Sequence, residues 1–381
     1  MKNRKKKVIV AMSGGVDSSV AAALLKRGGF YPEPDRRVDV VGVFMKFWSE
    51  PQSGSTLISA DKNADLRRYE NRCCSTEAEN RARKVAKILD IPFYVFNFEK
   101  EFKKRIVDYF LKENKKGNTP NPCVVCNKEI KLGLLLQKAL ELDADFVATG
   151  HYALKREVKS QKSKVKSYQL LMAKDKNKDQ SYFLWQLNQK QLGHILFPIG
   201  NYTRTEVEKL AKKFKLSFGG VKKSQEICFI PKTINYFLKK YLKPKPGMIM
   251  LKGGKKIGEH EGLPFYTIGQ RKGIKLPAGP YYVLEKDLKK NLLIVTKNER
   301  DLFKKQLIVK NVNWVSGERP RLPLKITAKI RYRHRPASAV ISKIQNTKYH
   351  IRFTKSQRAI TPGQSVVFYK GQELFGGGVI K

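Results

Sequence analysis

The segment Ser13–Ser19, with the sequence Ser-Gly-Gly-Val-Asp-Ser-Ser, constrains this chain more than any other feature. It follows the apolar run Val8–Met12 and precedes an alanine-rich apolar run that starts at Val20. This order predicts a buried strand, a glycine turn and the start of a helix. Paired glycines let the backbone bend sharply and approach a ligand closely. The amides of such a turn and of the helix N-terminus then face an anion such as a phosphate.

Two interpretations of this loop stand side by side. It is not a Walker A motif, because no Gly-Lys-Ser/Thr follows the glycines. The loop resembles the SGGxDS loop of the ATP pyrophosphatases, or PP-loop enzymes, which cleave ATP between the α and β phosphates and adenylate a substrate oxygen. The alternative is an ordinary Ser/Gly turn, in which Asp17 caps the helix and does not bind Mg²⁺.

Length and charge narrow the class of protein. The chain has 381 residues, long enough for two or three domains with their own cores. Lys and Arg number 78 against 33 Asp and Glu, a formal charge of +45 that favours nucleic acid as a partner. The alternative is a lysine-rich composition whose charges are only solvated. Because no apolar run reaches the ~20 residues of a membrane span and the basic N-terminus lacks a secretory pattern, we expect a cytoplasmic protein with no membrane partner.

The chain divides into three regions by pattern. Residues 1–215 alternate apolar strand-like and periodic helix-like segments, which predicts an α/β PP-loop catalytic domain with a parallel sheet covered by helices. The predicted strands are Val38–Trp48, Pro92–Phe98 and Asp145–Tyr152, and the predicted helices are Thr76–Leu89, Phe102–Leu111 and Ile130–Leu142. Two polar inserts interrupt this pattern. Ser49–Asn71 is predicted to be a loop, and Lys155–Ser167 a basic hairpin tip or a disordered insert.

Beyond about Leu216, turns rich in Gly and Pro separate short segments, which indicates β structure. We predict a small mixed central domain over residues 216–300, carrying the second catalytic cysteine, and a C-terminal β-barrel over residues 301–381 that contacts tRNA. Alternating residues predict barrel strands at Leu324–Tyr332 and Ser338–Ile344.

The cysteine pattern favours cytosolic thiols over a disulfide scaffold, because five is an odd count in a long chain. Cys123 and Cys126 follow two prolines, and the sequence predicts that Cys126 opens a helix. Nearby lysines, Lys128 and Lys131, would bias its thiol towards the nucleophilic thiolate. Cys228 also follows lysines, at positions 222 and 223, and only the fold can bring it to the other thiols. The adjacent pair at 73 and 74 is more typical of packing.

Three hypotheses compete for these thiols. Cys126 and Cys228 could act as a pair through a persulfide and a transient disulfide. Alternatively, Cys123, Cys126 and Cys228 could ligate a metal or a 4Fe-4S cluster, although one C-x-x-C motif is weak evidence for zinc. The third hypothesis treats all of them as small buried hydrophobes.

Seven motifs in a shared order carry a resemblance over nearly the whole chain. They are Ala11–Ser18, Thr119–Lys131, Ala148–Tyr152, Asp179–Tyr182, Ser224–Phe229, Gly269–Gly273 and Ile330–Arg333. On these motifs the chain resembles the bacterial tRNA-specific 2-thiouridylases (the MnmA or TrmU family). The resemblance implies that ATP, with Mg²⁺, adenylates the C2 oxygen of the wobble uridine in tRNA, and that a persulfide sulfur then replaces AMP to give 2-thiouridine. It also implies a persulfide donor protein, either a cysteine desulfurase or a relay.

The resemblance assigns roles to individual positions. The implied ATP-binding residues are Ala11, Met12, Ser13, Gly14, Gly15, Val16, Asp17 and Ser18, with Met45 and Gly150 near the adenosine. The implied catalytic residues are Asp17, Cys126 as nucleophile and Cys228 as persulfide carrier. The positions implied to approach the target base are Asn121, Pro122 and Cys123, and those implied to contact tRNA are His151, Asp179, Gln180, Ser181, Arg331, Tyr332 and Gln364.

One position departs from the family pattern. Cys123 stands where many members have Asp, which leaves the general acid or base unassigned and strengthens the cluster hypothesis. The basic segment 331–335, which includes Tyr332, is predicted to be a strand end suited to RNA phosphates and bases, or else an exposed charged edge. Two other functions stay open: another PP-loop enzyme, which would not need the thiol pair, and a metal-binding RNA-binding protein, which would leave ATP intact.

Overall fold

The computed structural model describes residues 5–28, 38–48, 75–159, 166–216, 227–230, 232–345 and 348–381. These residues form two compact units, one of Met1–Ile106 with Cys123–Lys232 and one of Val107–Pro122 with Thr233–Lys381. The predicted loop Ser49–Asn71, the cysteines at 73 and 74, and the lysines at 222 and 223 lie outside the described residues.

The first unit is built on a parallel sheet, as the alternating pattern predicted. Its strands are β1 (Lys7–Ala11), β2 (Asp39–Lys46), β3 (Phe93–Asn97), β4 (Phe146–Thr149) and, later in the chain, β7 (Ile195–Leu196). They run in the order β3-β2-β1-β4-β7, and each neighbouring pair is parallel. An antiparallel hairpin of β5 (Ala153–Lys159) and β6 (Lys166–Met172) includes both ends of the predicted insert Lys155–Ser167, and residues 160–165 between the strands lie outside the described residues.

Helices follow the strands in the expected alternation. Their ranges are α1 (Val16–Lys26), α2 (Thr76–Ile88), α3 (Glu99–Phe102), α4 (Asp108–Lys115), α5 (Pro122–Cys126), α6 (Leu135–Glu141), α7 (Gln189–Gly193), α8 (Arg204–Lys213) and α9 (Ile234–Tyr241). A π-helical turn, Lys103–Val107, joins α3 to α4, and another, Asn127–Leu134, joins α5 to α6. The apolar periodicity predicted plain α-helices here, because such a pattern does not distinguish α from π hydrogen bonding.

The core of the first unit explains why β1 reads as a continuous apolar run. Its residues from Val8 to Ala11 are buried, as is expected for a central strand covered on both faces. The small side chains Ala21, Ala22 and Ala23 of α1 are fully buried in the same cluster. Tight packing of a helix with short side chains therefore fixes where α1 begins relative to the end of β1.

The second unit contains a small sheet and a closed barrel. The sheet has strands β8 (Gly247–Leu251), β9 (Lys256–His260), β10 (Tyr282–Asp287) and β11 (Leu292–Thr296), in the order β10-β11-β8-β9. The barrel has strands β12 (Phe303–Trp314), β13 (Leu324–Lys329), β14 (Ala337–Gln345), β15 (Lys348–Arg358), β16 (Ser365–Lys370) and β17 (Glu373–Ile380). Pairing of β12 with β17 closes it, which confirms the predicted small barrel. Among the described residues, no helix is both long and apolar enough to cross a bilayer.

Candidate functional site

The glycine loop lies between β1 and α1 and is held from two sides. Gly14 has φ +70°, and a Cβ there would lie 2.2 Å from the Ala78 carbonyl oxygen on α2, so a glycine is required. Arg81 of α2 donates its Nε to the Gly14 carbonyl over 3.2 Å. The Ser18 hydroxyl accepts the Ser13 amide at 3.1 Å. The loop is thus fixed in place before any ligand binds, with the N-terminus of α1 directly behind it.

Asp17, in the first turn of α1, belongs to a charged network. Its Oδ1 accepts the Tyr152 hydroxyl at 2.9 Å and the Arg204 Nη1 at 2.6 Å. Arg204 also donates its Nε to Glu208 over 2.6 Å. Burial and the Asp17 carboxylate raise the pKa of Tyr152, so its hydroxyl keeps the proton that it donates. The Arg204 side chain is 20% exposed and the Asp17 side chain 37%. The less exposed guanidinium therefore orients the Asp17 carboxylate, which still reaches solvent.

Gly150 lies against the first turn of α1, and the adenosine contacts that the resemblance implied for Gly150 and Met45 stay predictions. A Cβ on Gly150 would lie 2.6 Å from the Ser18 amide nitrogen. Met45 lies on the neighbouring strand β2 and is buried. The Met12 amide donates to the Val43 carbonyl at 2.8 Å, which ties the end of β1 to β2. These residues gather at the carboxyl ends of parallel strands, where ligands bind in open α/β sheets.

The first pair of thiols lies on α5. The prediction that a helix opens at Cys126 is wrong, because the helix begins earlier, at Pro122. The fixed φ of proline suits the first helical position, where its missing N–H costs nothing. Cys123 therefore lies in the first turn, and Cys126, 5% exposed, lies at the end of α5.

The fold brings Cys228 into electrostatic contact with this helix. Burial raises the pKa of the Cys123 thiol to about 12, the Cys228 sulfur contributes in the same direction, and Lys131 on the π-helical turn acts in the opposite direction. Cys228 lies in a turn closed by a hydrogen bond from the Ile230 amide to the Ile227 carbonyl, 3.0 Å long. The next residue, Phe229, packs edge-on against Phe102 with ring centroids 5.6 Å apart. A buried aromatic contact thus anchors the thiol-bearing turn.

His151 and its neighbours are bound within the first unit. The His151 Nδ1 lies 2.8 Å from the Thr149 hydroxyl, and burial lowers the pKa of His151 to about 3, with Lys131 adding to the shift. Asp179 accepts the Ala173 amide at 3.0 Å and the Ser181 hydroxyl at 2.9 Å, and both Asp179 and Ser181 are buried. These hydrogen bonds hold a turn, and the tRNA contacts implied for the three residues stay predictions.

Gln180 makes a reciprocal pair with the backbone of Tyr152. Its side-chain oxygen accepts the Tyr152 amide at 3.0 Å, and its own backbone amide donates to the Tyr152 carbonyl at 2.8 Å. Because the Tyr152 hydroxyl binds Asp17, this pair links the turn to the glycine loop.

The basic segment after β13 lies in a turn. The predicted strand Leu324–Tyr332 ends at Lys329, so Arg331 and Tyr332 belong to the connection between β13 and β14. The Arg331 guanidinium donates through Nη2 to the carbonyls of Arg358 and Ala359, the first at 3.1 Å. These two carbonyls lie at the end of β15, and alternation in the sequence does not encode such a contact.

The three thiols do not form a preassembled metal site. Within the described ranges, no group of three or more His, Cys, Asp or Glu side chains is arranged to hold a metal ion, and Cys123, Cys126 and Cys228 all belong to those ranges. This donor set does not fit a 4Fe-4S cluster as it stands, since three ligating sulfurs would have to converge.

Comparison with known proteins follows the same division of the chain. Residues 6–232 match the family described as the tRNA methyl transferase HUP domain, residues 235–297 its PRC-barrel domain, and residues 304–380 an aminomethyltransferase β-barrel domain. The tRNA-specific 2-thiouridylase MnmA of Clostridium perfringens is 44% identical over 384 residues, covering 99% of each chain. The chain belongs to the MnmA family of tRNA-specific 2-thiouridylases.

Another relative agrees with this result, and one solved structure is only weakly similar to the chain. The tRNA-specific 2-thiouridylase MnmA 1 of Caldanaerobacter subterraneus is 45% identical over 379 residues, covering 98% of each chain. The U34-tRNA thiolase NcsA from Methanococcus maripaludis, with its 4Fe-4S cluster, has 17% identity and a TM-score of 0.32 over 58% of this chain and 60% of its own. A likeness that weak carries no argument about this chain.

Two residues of the site escaped sequence analysis. Arg204 lies 187 positions from its partner Asp17, and Arg81 lies 67 positions from Gly14. The Thr203-x-x-Glu206 capping box marks the start of α8 and so locates Arg204 at a helix N-terminus, but a cap signal does not identify a tertiary partner.

Proposed function

We propose that this protein is an ATP-dependent tRNA-uridine 2-sulfurtransferase that thiolates the wobble uridine of tRNA. Membership of the MnmA family supports this activity. The observation that carries it for this chain is that Cys123 and Cys126 share one helix and that Cys228 lies in the same compact unit as these thiols and the glycine loop. The residues proposed for ATP activation and those proposed for sulfur transfer therefore belong to one compact unit.

In the first step the uridine C2 oxygen attacks the α-phosphorus of ATP, a P–O bond forms, and pyrophosphate leaves. The amides of the loop 13–15 and the N-terminus of α1 stabilise the phosphates. Asp17, oriented by Arg204 and Tyr152, would hold a Mg²⁺ ion that neutralises charge on the leaving group. A single carboxylate suffices for this, because Mg²⁺ in such sites takes its other ligands from phosphates and water.

In the second step the terminal sulfur of a persulfide on Cys228 attacks C2, and the C–O bond to AMP breaks. The Cys126 thiol then attacks the Cys228 sulfur, so that the S–S bond breaks, 2-thiouridine is released and a Cys126–Cys228 disulfide forms. A thiol reductant restores both thiols. Cys123, held as a thiol by burial, lies beside this exchange and does not compete as a nucleophile at neutral pH.

We also propose the partners and the division of labour that the sequence predicted. A cysteine desulfurase or a relay protein would load Cys228 in the cytoplasm. Residues 1–215 would form the catalytic domain, residues 216–300 the central domain and residues 301–381 the barrel that contacts tRNA. The surplus of 45 positive charges supports a polyanionic substrate. The implied contacts at 121–123, 331 and 332 belong to the same proposal.

The proposal is tested by incubating the protein with ATP, Mg²⁺, a persulfide donor and unmodified tRNA, and measuring nucleosides by mass spectrometry. We expect 2-thiouridine and equal amounts of AMP and pyrophosphate. Asp17→Ala should abolish pyrophosphate release, and Cys228→Ala should keep tRNA binding and lose thiolation. Pyrophosphate release without any thiolated product would favour another PP-loop enzyme, and tRNA binding with intact ATP would favour a binding protein. Iron bound by anaerobically purified, active protein would revive the cluster hypothesis.

A further inference from the structure

Two carbonyl groups of the glycine loop are bound by neighbouring helices. The Gly15 carbonyl accepts the Ser19 amide at 3.3 Å and the hydroxyls of Ser18 and Ser19 at 3.1 and 2.9 Å, all from α1. The Gly14 carbonyl accepts the Nε of Arg81, on α2, at 3.2 Å. Among the described residues, none accepts a hydrogen bond from the Gly14 or Gly15 amide. The loop therefore keeps these amide donors for a ligand, while its carbonyls are satisfied by the protein.

The bond from Arg81 fixes the direction of one of these amides. The peptide group between Gly14 and Gly15 is trans and planar, so its carbonyl and its N–H point in opposite directions. Because the carbonyl points to Arg81 on α2, the Gly15 amide points to the side of the loop that faces away from α2. Gly15 is also the N-cap residue of α1, so its amide precedes the free amides of that helix N-terminus in the chain.

Packing alone does not fix this peptide group. A Cβ on Gly14, which has φ +70°, would clash with the Ala78 carbonyl oxygen, so α2 lies directly against the loop. Arg81 follows Ala78 by about one helical turn and reaches the Gly14 carbonyl from the same helix. At Gly15 an added Cβ would have only the Ser13 hydroxyl oxygen within 4 Å, at 3.5 Å, so packing leaves room there. The hydrogen bond from Arg81 is therefore the contact that sets the orientation of the peptide group.

We propose that Arg81 is a positioning residue for phosphate binding, which holds the Gly14 carbonyl so that the Gly15 amide faces the pyrophosphate portion of ATP. The inference rests on the proposed function, in which this loop binds the phosphates of ATP. It concerns one compact unit only, since the loop and α2 both belong to the segment Met1–Ile106. Arg81 acts through its Nε on the backbone, and its positive charge is not the property that the loop requires.

Two uncharged substitutions separate this role from attraction by charge. The Nε2 of glutamine is bonded to Cδ, as the Nε of arginine is, so Arg81→Gln can keep a donor near the same position without the charge. Arg81→Met places a methyl group there and removes both the donor and the charge. We therefore expect Arg81→Met to raise the Kd for inorganic pyrophosphate about tenfold, and Arg81→Gln to stay within about threefold of the wild type.

The assay is calorimetric titration of the full-length protein with inorganic pyrophosphate and Mg²⁺. Salt of about 0.15 M screens the surplus of positive charge, which would otherwise bind anions at many places on the surface. Arg83→Met is the matched control, because Arg83 lies two residues further along α2, is 55% exposed and binds Glu79 at 2.8 Å. This variant loses the same charge and no contact with the loop, so it should bind pyrophosphate as the wild type does. Arg81→Ala also lacks the donor and carries the same expectation if Arg81→Met does not fold.

Three results would overturn the positioning role. The first is equal pyrophosphate affinity in Arg81→Met and the wild type. The second is a loss in Arg81→Gln as large as in Arg81→Met, because the charge of Arg81 would then act and not its bond to the carbonyl. The third is a wild-type protein that does not bind pyrophosphate. Failure of the proposed function is recognised separately, since a wild-type protein that binds pyrophosphate but forms no 2-thiouridine would reject that function and leave the measured role of Arg81 in place.

Discussion

Arg204 offers the sharpest test of how the glycine loop is organised. Replacing it by Met removes the 2.6 Å charged hydrogen bond to Asp17 and keeps much of the apolar stem of the side chain. Hydrogen bonds to charged groups contribute about 1.5–3 kcal/mol. Because Asp17 is 37% exposed and keeps the Tyr152 hydroxyl as a partner, we take the lower end, about 1.5 kcal/mol. At about 1.4 kcal/mol per factor of ten, kcat/KM for ATP should fall about tenfold.

The assay is pyrophosphate release at limiting ATP, with saturating tRNA and persulfide donor. The matched control is Lys174→Met, which removes a 2.8 Å ion pair to Glu206 on the same helix, α8, where both side chains are more than 40% exposed. A surface pair of this kind contributes about 0–1 kcal/mol to stability and does not touch Asp17, so this variant should behave like the wild type. Equal values of kcat/KM for ATP in Arg204→Met and Lys174→Met would show that the function of Asp17 does not depend on its hydrogen bond to Arg204, contrary to this prediction.

Two further predictions concern the groups that Lys131 faces. The rate at which iodoacetamide alkylates Cys123, followed by mass spectrometry, should keep rising with pH beyond the usual thiol range, because burial raises the pKa of Cys123 to about 12. Lys131→Met should slow this reaction further, since Lys131 lowers that pKa. A plateau of the rate near pH ~8.5 would contradict the prediction. His151 has a folded pKa of about 3, well below its unfolded value of about 6.5, so the unfolded state binds the extra proton between these values and stability rises with pH across that window. In urea denaturation the wild type should therefore lose up to about 1.4 kcal/mol per pH unit relative to His151→Gln below about pH 6.5, and a constant difference would be inconsistent with a His151 that stays neutral in the folded state.

Local pattern was enough to predict the elements that frame the site. A continuous apolar run indicated β1, paired glycines the turn, and a run of alanines α1, because each signal lies within the element that it specifies. The start of α5 was misplaced, although the decisive signal, Pro122 at a first helical position, is also local.

Long-range pairs could not be predicted in this way. Gln364 binds a carbonyl 245 positions away, and a backbone carbonyl has no sequence signature at all. Arg204 is one of 78 Lys and Arg residues, so charge alone does not single it out as the partner of Asp17. Such contacts follow from tertiary packing. The family resemblance implied which positions are functional, but it did not indicate the hydrogen bonds that hold those side chains in place.

The pKa values of the two groups near Lys131 bear on which residue could act as general acid or base. The Lys131 ammonium lowers the pKa of both Cys123 and His151, yet burial dominates each group and drives the two pKa values apart, to about 12 and about 3. An efficient general acid or base needs a pKa near the working pH, and neither group meets that requirement in this state. With a pKa raised to about 12, the Cys123 side chain keeps its proton at neutral pH and is not poised to accept another. We expect the proton lost from uridine to go to another group or to water, and we expect Lys131, which opposes the effect of burial on Cys123, to favour negative charge on sulfur during the proposed persulfide exchange.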